Sequence, residues 1–532
     1  MMRARRLLRG VLVLAGLVHL CAVALAAGQE APRPGGTMVM GMTMDPPTVN
    51  PAITAGAPDR LIGCMVYEGL VRVAKDFRIE PALAKSWDIS PDGLRYTFHL
   101  VTTKWQDGTP FTSRDVAFSL QNINGRYGPL FAASRRAISS IDTPDPSTVV
   151  ITLEHPFGPL LLSLSCDQNG AILPAHLFAD TDILRNPTTL AQPVGTGPFR
   201  LAEWVHDDRM TFQRNPDYWR TGRPYLDEIV VKFLPNAASR VLALQAGEID
   251  YINEYSLPGS FYPTVSANKE LQTGESGYYA DFVIILNTHL PPLDKPEVRQ
   301  ALMIAMDRDY LTKAVFSGLG SAAVGPIDSR ITWAYDPAVD YRTMYSYDPD
   351  NARKLLDAAG VALKPDGNRF AIDLVFDSTR QEYGPLSVTL QKFWGAIGVK
   401  VNLRGSEREV VLKEVYGEYN FGATLQNYGT SGDPALGIAR LYVTSSIKQG
   451  ATFNNVSRYS NPEVDRLFAE GQNSTTQEQR AVYYHQAQAI LARDLPTLTI
   501  NQMGEYDAAT RHLHNLFLSQ DEPFWDEVWI EH

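Results

Sequence analysis

Phe282-Val283-Ile284-Ile285-Leu286 is an unbroken apolar run, and Pro296-Glu297-Val298-Arg299-Gln300-Ala301-Leu302 follows it closely. The run lacks the alternation of a half-exposed strand, so both of its faces are expected to be covered. Asp294 reads as the cap of the helix behind it, with Pro296 in the first turn and Glu297 at the capping-box position. Val298, Ala301, Leu302, Ala305 and Met306 form the buried stripe of that helix. The same alternation continues with helix 349–359 closing at Gly360, strand 371–376, helix 383–396 closing at Gly398, strand 399–403, helix 407–416 and strand 420–426. Residues 281–499 therefore read as an α/β layer domain, lobe II.

Outward from this stretch the texture changes. Tyr96, Phe98 and Leu100 alternate with polar neighbours after the turn Pro91-Asp92-Gly93, and Val149 to Leu153 reads as a second strand. Thr112 is placed to cap a helix with Asp115 three residues on and Val116, Leu120 and Ile123 along one stripe. A β-rich subdomain over residues 63–189 fits this pattern. Residues 28–62, 190–280 and 500–532 are assigned to lobe I, to which the subdomain attaches. The chain then crosses between lobes more than once, and a solute site is expected in the cleft of a hinged clamp.

The chain has 532 residues, 44% hydrophobic and 20% charged, with a formal charge of −11, and length alone argues for several domains. An acidic balance argues against a nucleic-acid partner, which needs a basic face. Arg3, Arg5, Arg6 and Arg9 precede an apolar run from Val11 to Ala26, the layout of a secretory signal peptide over residues 1–27. Its removal takes away four arginines and no acid, so the charge of −11 becomes −15. Leu20 before Cys21 is too large for a lipoprotein signal. Cys64 and Cys166 remain, either paired in an oxidising compartment or present as two buried thiols.

The common catalytic motifs are missing from the sequence. There is no Gly-x-Ser-x-Gly elbow, no His-Glu-x-x-His and no phosphate loop with Lys-Ser or Lys-Thr. Ser445-Ser446-Ile447-Lys448 and Ser266-Ala267-Asn268-Lys269 match Ser-x-x-Lys but lack the Ser-Asp-Asn and Lys-Thr-Gly partners of that chemistry. His512-x-His514 is a pair without a third metal ligand nearby. The chain reads as no enzyme and as needing no metal or cofactor. A secreted glycosidase or peptidase is the alternative class, because glycosidase carboxylates leave no local signature.

Several blocks are more specific. Tyr67-Glu68-Gly69-Leu70, Pro81-Ala82-Leu83-Ala84-Lys85-Ser86-Trp87, Trp105-Gln106-Asp107-Gly108-Thr109-Pro110-Phe111, Gly195-Thr196-Gly197-Pro198-Phe199, Arg214-Asn215-Pro216-Asp217-Tyr218-Trp219 and Gly247-Glu248-Ile249-Asp250 occur in this order. Together with Pro296 to Leu302 and with Tyr347-Asp348-Pro349, they resemble the peptide/nickel family of solute-binding proteins of ABC importers across nearly the whole mature chain. The resemblance implies an α/β, bilobal clamp of the periplasmic-binding-protein type II kind with an extra β-rich subdomain. It also implies a periplasmic monomer that captures a small solute, a peptide or an oligosaccharide or opine-like compound, and delivers it to an ABC permease driven by ATPase subunits. Trp87, Trp105, Tyr218 and Trp219 read as core anchors, and Arg299 as a surface or hinge ion pair.

In relatives the cleft contacts come from the segment after the first strand and from a loop of the second lobe ending in Asp-Pro. Here those are Met42 to Asn50, with Asp45, Pro47 and Asn50, and Gln426 to Pro434, with Asn427, Tyr428, Thr430 and Asp433. Dipeptide- and oligopeptide-binding relatives place an Asp four residues before that Pro to pair with the solute ammonium, and here the position is Thr430. A hydroxyl cannot neutralise a buried ammonium. The expectation is thus a blocked or hydroxyl-rich solute, unless Asp433 or Asp45 supplies the charge.

Overall fold

Strand Leu271–Leu286 holds the decisive run at its C-terminal end and pairs antiparallel with strand Thr497–Thr510, from Leu271 opposite Thr510 to Ile285 opposite Thr497. The computed structural model describes residues 31–54, 56–253, 256–380, 382–519 and 521–531; the expected signal peptide lies outside them. Among the described residues no helix is long and apolar enough to cross a membrane.

These two strands carry one sheet from lobe to lobe. Its order is Val399–Ser406, Phe370–Asp377, Ala423–Gly429, Leu271–Leu286, Thr497–Thr510, Tyr251–Ile252, Thr37–Met42, Glu228–Phe233, Arg209–Arg214 and Phe199–Val205. On the lobe II side Ala280 to Leu286 pair with Gly429 to Ala423, and on the lobe I side Ala508 and Ala509 pair with Ile252 and Tyr251. Between the two halves the register shifts, after Glu275 opposite Tyr506 and before Tyr279 opposite Gly504.

The continuous apolar run is explained by burial on both faces. Phe282, Ile284 and Leu286 enter one core with Val298, Leu302, Leu356, Leu390 and Trp394, while Val283 and Ile285 enter the opposite core with Tyr442, Leu467, Tyr484 and Leu491. Lobe I builds its core from Met38, Met40, Phe199, Ile229 and Val231 on its strands and from Leu61, Ile62 and Met65 on helix Ala57–Val66. The subdomain is a four-stranded sheet, Ala84–Ile89, Arg95–Leu100, Thr148–Leu153 and Ile138–Asp145, whose Tyr96, Phe98, Val149 and Ile151 pack against Val116 and Leu120. The Asp115 carboxylate accepts from the Thr112 amide at 2.8 Å, as the box motif requires.

Four sequence readings change. The helix after the apolar run spans Pro296–Ile304 with Lys295 at its N-cap and no side-chain cap, so Asp294 does not cap it; Pro296 has no amide to satisfy there. Arg299 is 3% exposed, not a surface residue, and donates to the carbonyls of Leu293, Asp294, Asp494 and Leu495. The strand expected at 420–426 is Ala423–Gly429, the span that pairs with Ala280 to Leu286. The subdomain boundary expected at residue 63 falls inside helix Ala57–Val66, which packs in lobe I. The open question of the cysteines is answered by a Cys64–Cys166 disulfide that closes a separation of 102 residues.

Candidate functional site between the lobes

The lobes exchange apolar side chains. Phe77, beyond strand Val71–Val73, is a buried member of the lobe II core, and Leu436 of lobe II packs on the subdomain core. Gly432 makes the contact possible. Its φ of 64° is left-handed, and a Cβ there would lie 2.3 Å from Phe77 Cε1. Trp333 Nε1 donates to the Gly432 carbonyl at 3.3 Å, and the Gly158 amide donates to the Gln472 carbonyl at 2.8 Å. A cavity remains between the two sides, walled by Phe77, Arg78 and Pro159 on one and by Trp333, Asp433 and Arg480 on the other.

The residues singled out from sequence take distinct places. The half-buried Asp45 carboxylate accepts from Trp204 Nε1 at 2.8 Å and from the Asp207 amide at 3.1 Å, with His206 Nδ1 at 2.9 Å, which ties it to the outermost hairpin of lobe I. Pro47 is exposed, and Asn50 is fully buried, its Oδ1 accepting from the Ala52 amide. Tyr428 is buried with its hydroxyl 3.0 Å from that of Tyr416. Thr430 is buried with its hydroxyl unpartnered. Asp433 takes both terminal nitrogens of the buried Arg480, at 2.6 and 2.7 Å. Neither carboxylate weighed for the amine, Asp45 or Asp433, is therefore free. Asn427 accepts from Arg380 at 3.2 Å.

Two recesses carry unspent chemistry; sequence reasoning reached the first through Asn427 but not its arginines, and missed the second. In lobe II, the exposed Arg380 and Arg408 border a recess with Asp377, Gln426 and Asn427 at the C-terminal ends of strands Phe370–Asp377 and Ala423–Gly429, where α/β sheets take ligands. A guanidinium placed there can receive a carboxylate. In lobe I, a cavity lies beside the disulfide, lined by Glu68, Arg72, Tyr218 and the C-terminal segment Asp521 to Asp526. Burial raises the Glu68 carboxyl to about 7, although Trp219 Nε1 and the Tyr218 hydroxyl both donate to it. At the crossing strands, burial and the neighbouring Asp328 push the Asp281 carboxyl well up, and Arg330 pairs with Asp328 and Glu275.

Comparison with known proteins gives this architecture its place. Residues 78–450 match the family model of bacterial extracellular solute-binding proteins, family 5. The chain belongs to this family. Heme-binding protein A of Haemophilus influenzae is 32% identical over 467 residues, covering 82% of this chain and 81% of the relative. Among solved family 5-like structures, HbpA2 from Haemophilus parasuis superposes with a TM-score of 0.81 at 25% identity, covering 93% of this chain and 100% of that one. The periplasmic binding protein DppA from Helicobacter pylori, in complex with the peptide STSA, gives 0.71 at 26% identity, covering 94% and 99%. The chain is thus a bilobal family 5 solute-binding protein.

Proposed function

We propose that this family 5 protein is the extracytoplasmic capture subunit of an ABC importer that closes its two lobes over a peptide or peptide-like solute and delivers it to the permease, without chemical change to the solute. The observation that supports it most is the pairing of one shared sheet with polar recesses on both lobes. Closure around two connecting strands can bring such recesses onto one solute, and affinity then comes from desolvated hydrogen bonds and ion pairs. Arg380, Arg408 and Asn427 are the lobe II contacts in this reading. In this reading a signal peptide, residues 1–27, is cleaved on export to the periplasm, and the mature protein works there as a monomer.

A thermal-shift screen of the mature protein across peptides, heme, opines and oligosaccharides tests the reading. A solute at a hundred times its dissociation constant stabilises by about 2.7 kcal/mol. Recovery of that solute intact is the expected outcome. Catalytic release of product, abolished by one carboxylate substitution, would instead make the protein a hydrolase.

A further inference from the structure

Among the described residues, the lobe I cavity contains an acid with no hydrogen-bond partner. Of the carboxylates that line it, Glu68 is held by Tyr218 and Trp219, Asp526 lies within ion-pair distance of Arg72, Arg220 and Arg223, and Asp521 binds Arg60 at 3.0 Å. Gln168 donates to Asp167 at 3.3 Å. Glu522 is 7% exposed, and among the described residues both of its carboxylate oxygens lack any hydrogen-bond donor; Oδ1 of Asp521 beside it lacks one too. A buried carboxyl group without a hydrogen-bond partner is costly, and it either takes up a proton or meets a countercharge.

The surroundings fix the sign of that countercharge. Asp521, Asp167 and Asp507 all add negative potential at Glu522, and Arg60 opposes them. The cavity has a volume of about 80 Å³, enough for an ammonium group and a short stem behind it, and is walled on one side by Phe524 and Trp525. Its edge adjoins the contact between lobes: Ala74 bridges to Ser519 and the Lys75 amide donates to the Leu518 carbonyl, two to three residues before Phe77 enters lobe II.

We propose that this cavity is the ammonium subsite of the solute pocket, in which Glu522, supported by Asp521, receives a primary ammonium group of the solute. The inference rests on the solute-binding reading above. It moves the amine contact from the loop position occupied by Thr430 to the C-terminal segment of lobe I, so the solute carries a free amine, and Arg380 and Arg408 of lobe II are left for its carboxylate. Without solute, burial and the neighbouring Asp521 push the Glu522 carboxyl well above its ordinary value, which favours the neutral acid in the empty cavity. An entering ammonium favours the carboxylate, and the acid's proton passes to the solvent as the ion pair forms.

Calorimetry decides the matter with free di- and tripeptides and 1,5-diaminopentane, each beside its N-acetylated form, and with amine-free heme and oligosaccharides for comparison. At least one free amine is expected to bind, with about a hundredfold loss on acetylation and a similar loss in Glu522→Gln. The binding enthalpy should depend on the ionisation heat of the buffer, reporting the released proton. The acetylation pairs and the buffer series use the wild-type chain, so they decide even if the variant does not fold. Equal affinity of free and acetylated forms, unaltered affinity in Glu522→Gln, or binding confined to amine-free solutes would overturn the subsite while leaving the solute-binding reading intact. Binding of no solute in any class would overturn that reading, and the subsite with it.

Discussion

Replacing Asp433 by Asn tests whether the loop between the lobes is built on an internal ion pair. Arg480 and Asp433 are each 3% exposed, and the carboxylate takes both terminal guanidinium nitrogens. Arg480 keeps two other acceptors, the Gly471 carbonyl at 2.8 Å and the Tyr484 hydroxyl at 3.0 Å, but neither carries charge. Asp433→Asn therefore leaves a buried cation uncompensated, which costs about 3 to 5 kcal/mol. The Asp433→Leu, Arg480→Met double variant removes both charges and is expected to recover most of that loss. Urea unfolding of the mature protein, followed by tryptophan fluorescence, measures both. An Asp433→Asn protein within about 1 kcal/mol of wild type would refute the ion-pair reasoning, because surface pairs have that weight.

Other consequences are equally open to measurement. The folded protein holds the Glu68 proton up to about 7 against an ordinary value of 4.5, so stability falls as pH rises through this window. Glu68→Gln should flatten that slope and gain up to about 3 kcal/mol over wild type above pH 7; an unchanged pH profile of urea midpoints would show that Glu68 titrates normally. Cys64→Ala with Cys166→Ala opens a loop of 102 residues and should lower unfolding free energy by about 4 kcal/mol, and equal denaturation curves with and without reductant would contradict this. Gly432→Ala places a methyl against Phe77 at a left-handed position, so solute affinity should drop and the scattering radius rise; neither changing would remove Phe77 from the closure contact.

The elements with local signals were legible. Phe282 to Leu286, the Thr112 to Asp115 box and the alternation at Tyr96 to Leu100 each encode burial or capping within a few residues, and strand Leu271–Leu286, helix Ser113–Phe118 and strand Arg95–Leu100 follow. Arg299 was misread because its acceptors at Asp494 and Leu495 lie nearly two hundred residues away. The loop Gln426 to Pro434 was located by resemblance, but what its side chains do depends on distant partners: Arg480 engages Asp433, and Tyr416 engages Tyr428. Glu522 carries no local signal beyond the acid before it, Asp521. Its meaning comes from Asp167 and Asp507, which the fold brings beside that pair.

The central claim is that a solute draws two lobes together around the paired strands Leu271–Leu286 and Thr497–Thr510. Such a solute touches both lobes and so binds the closed form better than the open one. Small-angle scattering of the mature protein with and without a solute from the thermal-shift screen measures this directly. The account predicts a smaller radius of gyration at saturation; a radius that stays the same while the solute is bound would contradict it.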